Sequence, residues 1–241
     1  MKKTYVWSLP TRIFHWLLVL FILGAFLASD EDELLGIHSA FGYGVGVLVI
    51  FRIVWGFIGP KYSRFKDFNL NIQEAKEFMT NIFNPPKKYI GHNPAASFVM
   101  LSIIIVLFFV VLSGALAYGA EEGRGVFAFL YDASKESEIF EELHEALTTL
   151  LFILIGIHLA GVFTDFLLHK EDQTLKSIIT GYKNIEGESV KLNFFQKAVA
   201  FVFLTLSVIT VIYTISSNPI SQHEEKLGYE KMLHEEEDDD D

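Results

Sequence analysis

Apolar residues along this chain gather in long runs and do not recur at the three-and-four spacing of a surface helix. Five runs approach the roughly 20 residues that a helix needs to cross a hydrocarbon layer about 30 Å thick. They cover residues 13–29, 37–58, 95–118, 143–168 and 194–216. The pattern predicts an all-α integral membrane protein, with four spans forming a core and a fifth added after it. The boundaries carry breakers: Gly59-Pro60, Pro85-Pro86 and Asn93-Pro94, with Gly181 and Gly187 between the last two runs. Residues 74–83 have the amphipathic spacing of a short surface helix. The first run contains Trp16 and Phe26 and ends in Asp30-Glu31-Asp32-Glu33 without a small-x-small pattern, so it reads as a retained helix and not as a signal peptide.

Composition agrees with the membrane reading: 51% of the 241 residues are hydrophobic and mean hydropathy is +0.35. The chain has no cysteine, which excludes disulfides, iron–sulfur clusters, thiolate ligands and thioether attachment of a cofactor. The formal net charge of -11 is uneven, since ten of the thirty acids follow Ser217. Basic residues set orientation. The N-terminal segment, residues 60–92 and residues 168–197 share one side by parity and hold fourteen Lys and Arg, against four on the other side. The N-terminus is therefore expected in the cytoplasm and the acidic C-terminus outside. Residues 1–190 read as the core domain, 191–217 as the additional transmembrane helix, and 218–241 as an acidic disordered tail. The expected surroundings are lipid, with no nucleic-acid partner.

Histidine is costly inside a bilayer, which makes each intramembrane histidine a functional candidate. Four of the eight, His15, His38, His144 and His158, lie within the spans or one turn from their ends. His144 and His158 are fourteen residues apart, close to four helical turns, so they share a face and stand about 21 Å apart. They cannot bind one metal ion, yet each can face its own cofactor. The topology puts His15 and His158 toward the cytoplasm, and His38 and His144 toward the outside. Two opposed imidazoles at each of two depths suit six-coordinate, non-covalent haem b; zinc or copper would want three or four ligands at one depth. A single intramembrane histidine also has an ordinary use as a hydrogen-bonding residue between helices, and four matched in depth argue against it. His92 and His169 at span ends, and His223 and His234 in the tail, read as structural or solvated. Gly42, Gly44, Gly46, Gly114, Gly156 and Gly161 remove side chains where a flat macrocycle or a second helix approaches. Arg12 and Arg52 are placed either to pair with propionates of the cytoplasmic haem or to anchor the inner interface.

Several segments resemble the prokaryotic cytochrome b561 family, including the cytochrome b subunits of nickel-iron hydrogenases. The resemblance rests on Val6-Trp7-Ser8-Leu9-Pro10-Thr11-Arg12-Ile13-Phe14-His15-Trp16, on Ile37-His38-Ser39-Ala40-Phe41-Gly42-Tyr43 and on Phe51-Arg52-Ile53-Val54-Trp55-Gly56. It continues through Gly91-His92-Asn93-Pro94, Leu143-His144-Glu145, Ile157-His158-Leu159-Ala160-Gly161 and Ile179-Thr180-Gly181. It implies a four-helix core in a bacterial inner membrane, with two b haems on His15, His38, His144 and His158. It also implies electron exchange between a quinone pool and a periplasmic partner such as a cytochrome c or a hydrogenase subunit. The fifth span and the acidic tail depart from the basic pattern.

The leading expectation is transmembrane electron transfer. The acidic outer segments would steer a basic partner. The competing classes are a stand-alone quinone or superoxide oxidoreductase, a haem-free assembly anchor, and a transporter. A transporter would call for intramembrane acids or broken helices, whereas Glu145 and Asp165 lie near span ends.

Overall fold

The computed structural model describes residues 3–85, 87–131 and 134–217. The acidic segment from residue 218 onward, read above as a disordered tail, lies outside the described residues. The helices are α1 (Leu9–Leu27), α2 (Leu35–Ile58), α3 (Ile72–Thr80), α4 (Pro94–Glu122), α5 (Ser134–Leu168), α6 (Thr174–Thr180) and α7 (Phe194–Ser216). Five of them, α1, α2, α4, α5 and α7, are long and apolar enough to cross a membrane. Helix α3 is the short amphipathic segment, beginning two residues earlier than residue 74.

Local chemistry sets the boundaries. Asn93 caps α4 by accepting a hydrogen bond from the Ala96 N–H at 2.8 Å, and Pro94 follows where no amide donor is needed. Asn193 and Gln196 form a reciprocal capping box at the start of α7. Helix α4 ends where Gly123 turns left-handed at φ 64°. Helix α5 starts nine residues before the apolar run at 143, because a helix continues through polar residues such as Glu141 and Glu142 once it has left hydrocarbon.

Helix α2 is central, with Ala40, Val45, Leu48, Phe51 and Trp55 almost fully enclosed; α1, α4 and α7 pack around it. Phe21, Leu48, Leu107, Leu151 and Val211 join all five long helices in one core. Leu20, Leu23, Phe163, Phe201 and Ile212 point outward, as expected of helices with lipid around them. Lipid tails are as apolar as leucine, so helices associate through close fit at small residues. Gly44 supplies one: a Cβ there would lie 2.4 Å from Val211 Cγ2 and 2.9 Å from Phe21 Cδ2. Gly44→Leu is therefore expected to force α7 off α2 and to destabilise the bundle by about 1–3 kcal/mol. The check is thermal unfolding in detergent beside Gly156→Ala, whose added methyl meets nothing within 4 Å and which should leave the midpoint in place.

The end of the bundle that carries the N-terminus is tied together by backbone pairing that the hydropathy pattern does not predict. Strand β1 (Thr4–Tyr5) pairs antiparallel with β2 (Tyr182–Lys183). The Val6 and Trp7 amides both donate to Gly181 O, at 2.8 and 3.1 Å. Trp7 Nε1 donates to Ser177 Oγ at 3.0 Å. Gly181 has φ 88°, and a Cβ there would strike the Tyr5 ring at 2.3 Å. This clasp carries Lys183 into the interior, where it is 4% exposed.

Candidate haem-binding sites

The four histidines predicted to act sit at two levels. At the acidic end, the His38 and His144 rings face one another with centroids 6.0 Å apart and planes at 85°. His38 lies in the first turn of α2, and its Nδ1 is 2.9 Å from Ala25 O at the end of α1. His144 lies on α5, and its Nδ1 is 2.9 Å from Val110 O on α4. A carbonyl can only accept, so both Nδ1 atoms carry the proton and donate it. Each Nε2 is then left with a free lone pair, the tautomer that a metal requires. With a metal–imidazole bond of about 2 Å, as for zinc, a 6.0 Å separation leaves room for one metal ion that the two Nε2 atoms would hold. Gly114 makes room for this arrangement, since a Cβ there would lie 2.7 Å from His144 Cε1.

At the basic end, His15 on α1 and His158 on α5 lie within electrostatic reach of each other. His15 Nδ1 is shielded from solvent and has no protein partner, and the ring stands edge-on to Trp16 at 5.2 Å. Helix α5 packs along α4, and its contacts toward α1 and α2 include Phe26 on Phe152 at 5.1 Å and His38 on His144. On the histidine faces, Gly42 lies one turn beyond His38 and Gly161 three residues beyond His158. A Cβ at either would meet nothing within 4 Å. Facing imidazoles in the ligand tautomer, an orphaned ring nitrogen and open space beside them fit a flat, metal-centred group held between helices.

The basic end also gathers groups beyond those expected. His92, read above as structural or solvated, is clamped between Trp7 and Phe68, with ring centroids at 4.9 and 5.2 Å. Its Nδ1 is shielded and unpartnered. Burial, together with the charges of Lys183 and Arg52, holds its pKa down to about 3, so the ring is neutral. Lys183 Nζ donates to Gly91 O at 3.1 Å and stands 6.0 Å above the Trp7 ring. Burial pulls its pKa down to about 8 against the opposing pull of Asp165 and Asp172. The Arg52 guanidinium lies over Phe65 and Phe68 at 5.1 and 5.6 Å, with Nη1 shielded and unpartnered. Arg12 donates to Ile179 O and lines an apolar groove with Leu9, Ile13, Trp16 and Ile178. His169 pairs with Asp165 at 3.1 Å. Sequence reasoning missed Lys183, which sits in a polar connection and looks like any interfacial lysine. His92 carried a visible signal in the Gly91-His92-Asn93-Pro94 segment.

Five helices long and apolar enough to cross a membrane define an all-α, multi-pass membrane protein. A family model described as prokaryotic cytochrome b561 matches residues 6–181, and the chain belongs to that family. Curated relatives include a probable Ni/Fe-hydrogenase B-type cytochrome subunit of Rhizobium leguminosarum bv. viciae, 24% identical over 75% of this chain and 88% of the relative. One from Rhodobacter capsulatus is 23% identical over 78% of this chain and 84% of its own length. The probable Ni/Fe-hydrogenase 1 B-type cytochrome subunit of Escherichia coli (strain K12) is 22% identical over 75% of this chain and 90% of that one. No solved structure matches the chain at a significant level. Membership implies haem b and transmembrane electron transfer.

Proposed function

We propose that the chain holds two haem b groups, one between His38 and His144 and one between His15 and His158, and relays electrons across a bacterial inner membrane. The basic bias puts the N-terminus and the His15–His158 level on the cytoplasmic side, and the acidic end in the periplasm. In this reading residues 1–190 form the di-haem core and α7 is an added helix packed on α2.

The observation that carries the reading is the His38–His144 pair, whose rings lie 6.0 Å apart with both Nδ1 atoms tied to backbone carbonyls. Bound haem b supplies the one-electron couple of its iron. The protein supplies the rest. Ala25 O and Val110 O fix the tautomer and the ring planes, which raises ligand basicity. The apolar core around Leu48, Leu107 and Leu151 keeps water from the path between the two levels.

The names of the relatives favour a hydrogenase-type subunit as the partner on the acidic face, with a basic periplasmic cytochrome c as the other candidate; a quinone is the partner within the membrane. The test is a pyridine haemochrome assay on the purified chain after haem-replete expression. Two haem b per polypeptide is the expected result, and a colourless protein overturns the proposal.

A further inference from the structure

Two enclosed cations at the basic end, Lys183 and Arg52, have no ion-pair partner among the described residues. Lys183 is 4% exposed and spends its ammonium on one carbonyl, Gly91 O. Arg52 rests on the Phe65 and Phe68 rings with a shielded, unpartnered Nη1. Among the described residues, no carboxylate forms an ion pair with either. The two acids nearest Lys183 in electrostatic terms are Asp165 and Asp172, and both are committed elsewhere. Asp165 accepts from His169 at 3.1 Å, and Asp172 from Lys88 at 2.5 Å.

The two cations and the inner histidine also converge on one place. His92 lies within electrostatic reach of Lys183, Arg52 and His158 together, so a single enclosed ring marks the region all three share. Burying one ammonium or guanidinium without a counter-charge costs several kcal/mol. Two such groups from remote parts of the chain, α2 and the clasp at β2, are retained within electrostatic reach of His92, as His158 is. An anionic group with two negative charges, seated against His158, would neutralise both.

We infer that Arg52 and Lys183 form a two-point seat for the paired carboxylates of the group bound at the His15–His158 level, one propionate to each cation. This rests on the proposed assignment of a haem to that level and adds Lys183 as a positioning residue. Of the other arginines at this end, Arg64 pairs with Asp67, and Arg12, whose Nε is also shielded and unpartnered, donates to Ile179 O and lines the outer groove, so the more enclosed clasp lysine takes the second place. A planar ligand on two imidazoles can spin about the axis they define, and two fixed cations on one edge stop that rotation. The clasp between β1 and β2 then has a purpose beyond packing: it delivers the lysine.

The test is optical redox titration of the haem-loaded full chain, resolving the two couples. Reduction adds one negative charge at iron, and a cation about 10 Å away at an effective dielectric of about 20 favours that by roughly tenfold. Lys183→Gln and Arg52→Gln should each lower one midpoint by about tenfold in the reduction equilibrium, ~59 mV for a one-electron couple. The couple that moves should be the one that His158→Ala loses, the other should stay, and Lys183→Arg should restore the parent value. Two intact haems with both midpoints unmoved in both glutamine variants overturn the seat and leave the two-haem reading standing. Failure to bind haem at the His15–His158 level in the parent chain sinks that reading itself. Should neither glutamine variant assemble, a structure of the haem-loaded parent decides: carboxylate oxygens within 4 Å of Lys183 Nζ and of the Arg52 guanidinium sustain the inference, and carboxylates turned elsewhere end it.

Discussion

Purified His144→Ala protein is expected to carry one haem b where the parent chain carries two, and to keep the spectral component that His158→Ala loses. The outer imidazoles are held from behind by backbone carbonyls. His144 is aimed by Val110 O, and His38 by Ala25 O, each at 2.9 Å. Disturbing an outer partner of a metal ligand already costs 10–100-fold in affinity in comparable sites, so deleting the ligand itself should empty the level. The other level is about 21 Å away along α5 and, in the proposed pairing, shares no ligand with it. Crossed double variants make the pairing explicit. His38→Ala with His144→Ala should lose no more haem than either alone, because both act at one iron. His144→Ala with His158→Ala should lose all of it. Haem yield and low-temperature spectra report the outcome, and a His38→Ala, His144→Ala double variant devoid of haem would mean that the histidines are paired in some other way.

Much of the bundle can be read from hydropathy because crossing a bilayer imposes a length and a composition that few sequences meet by accident. All five spans lie where the apolar runs do, and the misjudged ends are polar ones. Residues from Ser134 to Glu142 extend α5 beyond the hydrocarbon, where hydropathy no longer reports on helicity. The α6 turn and the β1–β2 clasp escape the pattern for another reason: pairing Thr4 with Lys183 is a contact between distant segments, fixed by Gly181 and its two amide donors, and no periodic signal marks it. The same gap hid Lys183 and the enclosure of His92, since burial of a loop residue depends on what folds over it. The four intramembrane histidines were legible because polar groups in hydrocarbon are rare and costly. Their mutual arrangement needed the structure. Parity gives depth, whereas the facing of His38 and His144, and the carbonyl that fixes each ring, depend on how α1, α2, α4 and α5 meet.

Vesicles bearing the parent chain are expected to reduce an impermeant oxidant trapped inside when a reductant is supplied only outside. The same vesicles made with either His144→Ala or His158→Ala should fall to the rate of protein-free vesicles. The physical reason is distance through a medium that excludes charge. Histidines on α5 stand about 21 Å apart along the axis, a large part of a hydrocarbon layer about 30 Å thick, so removing either level leaves a gap that the remaining one cannot cover. Lys87→Ala, at the exposed pair with Glu74 and outside both levels, should keep the parent rate. Movement of an electron without a compensating proton is electrogenic, opposed by about 2.3 kcal/mol for every 100 mV that builds up. Adding potassium with valinomycin should therefore raise the sustained rate in the parent vesicles and leave the histidine variants at background. Parent-like transfer in a variant lacking one level would show that the two pairs do not act in series, and a rate indifferent to valinomycin would show that charge does not cross the membrane through this chain.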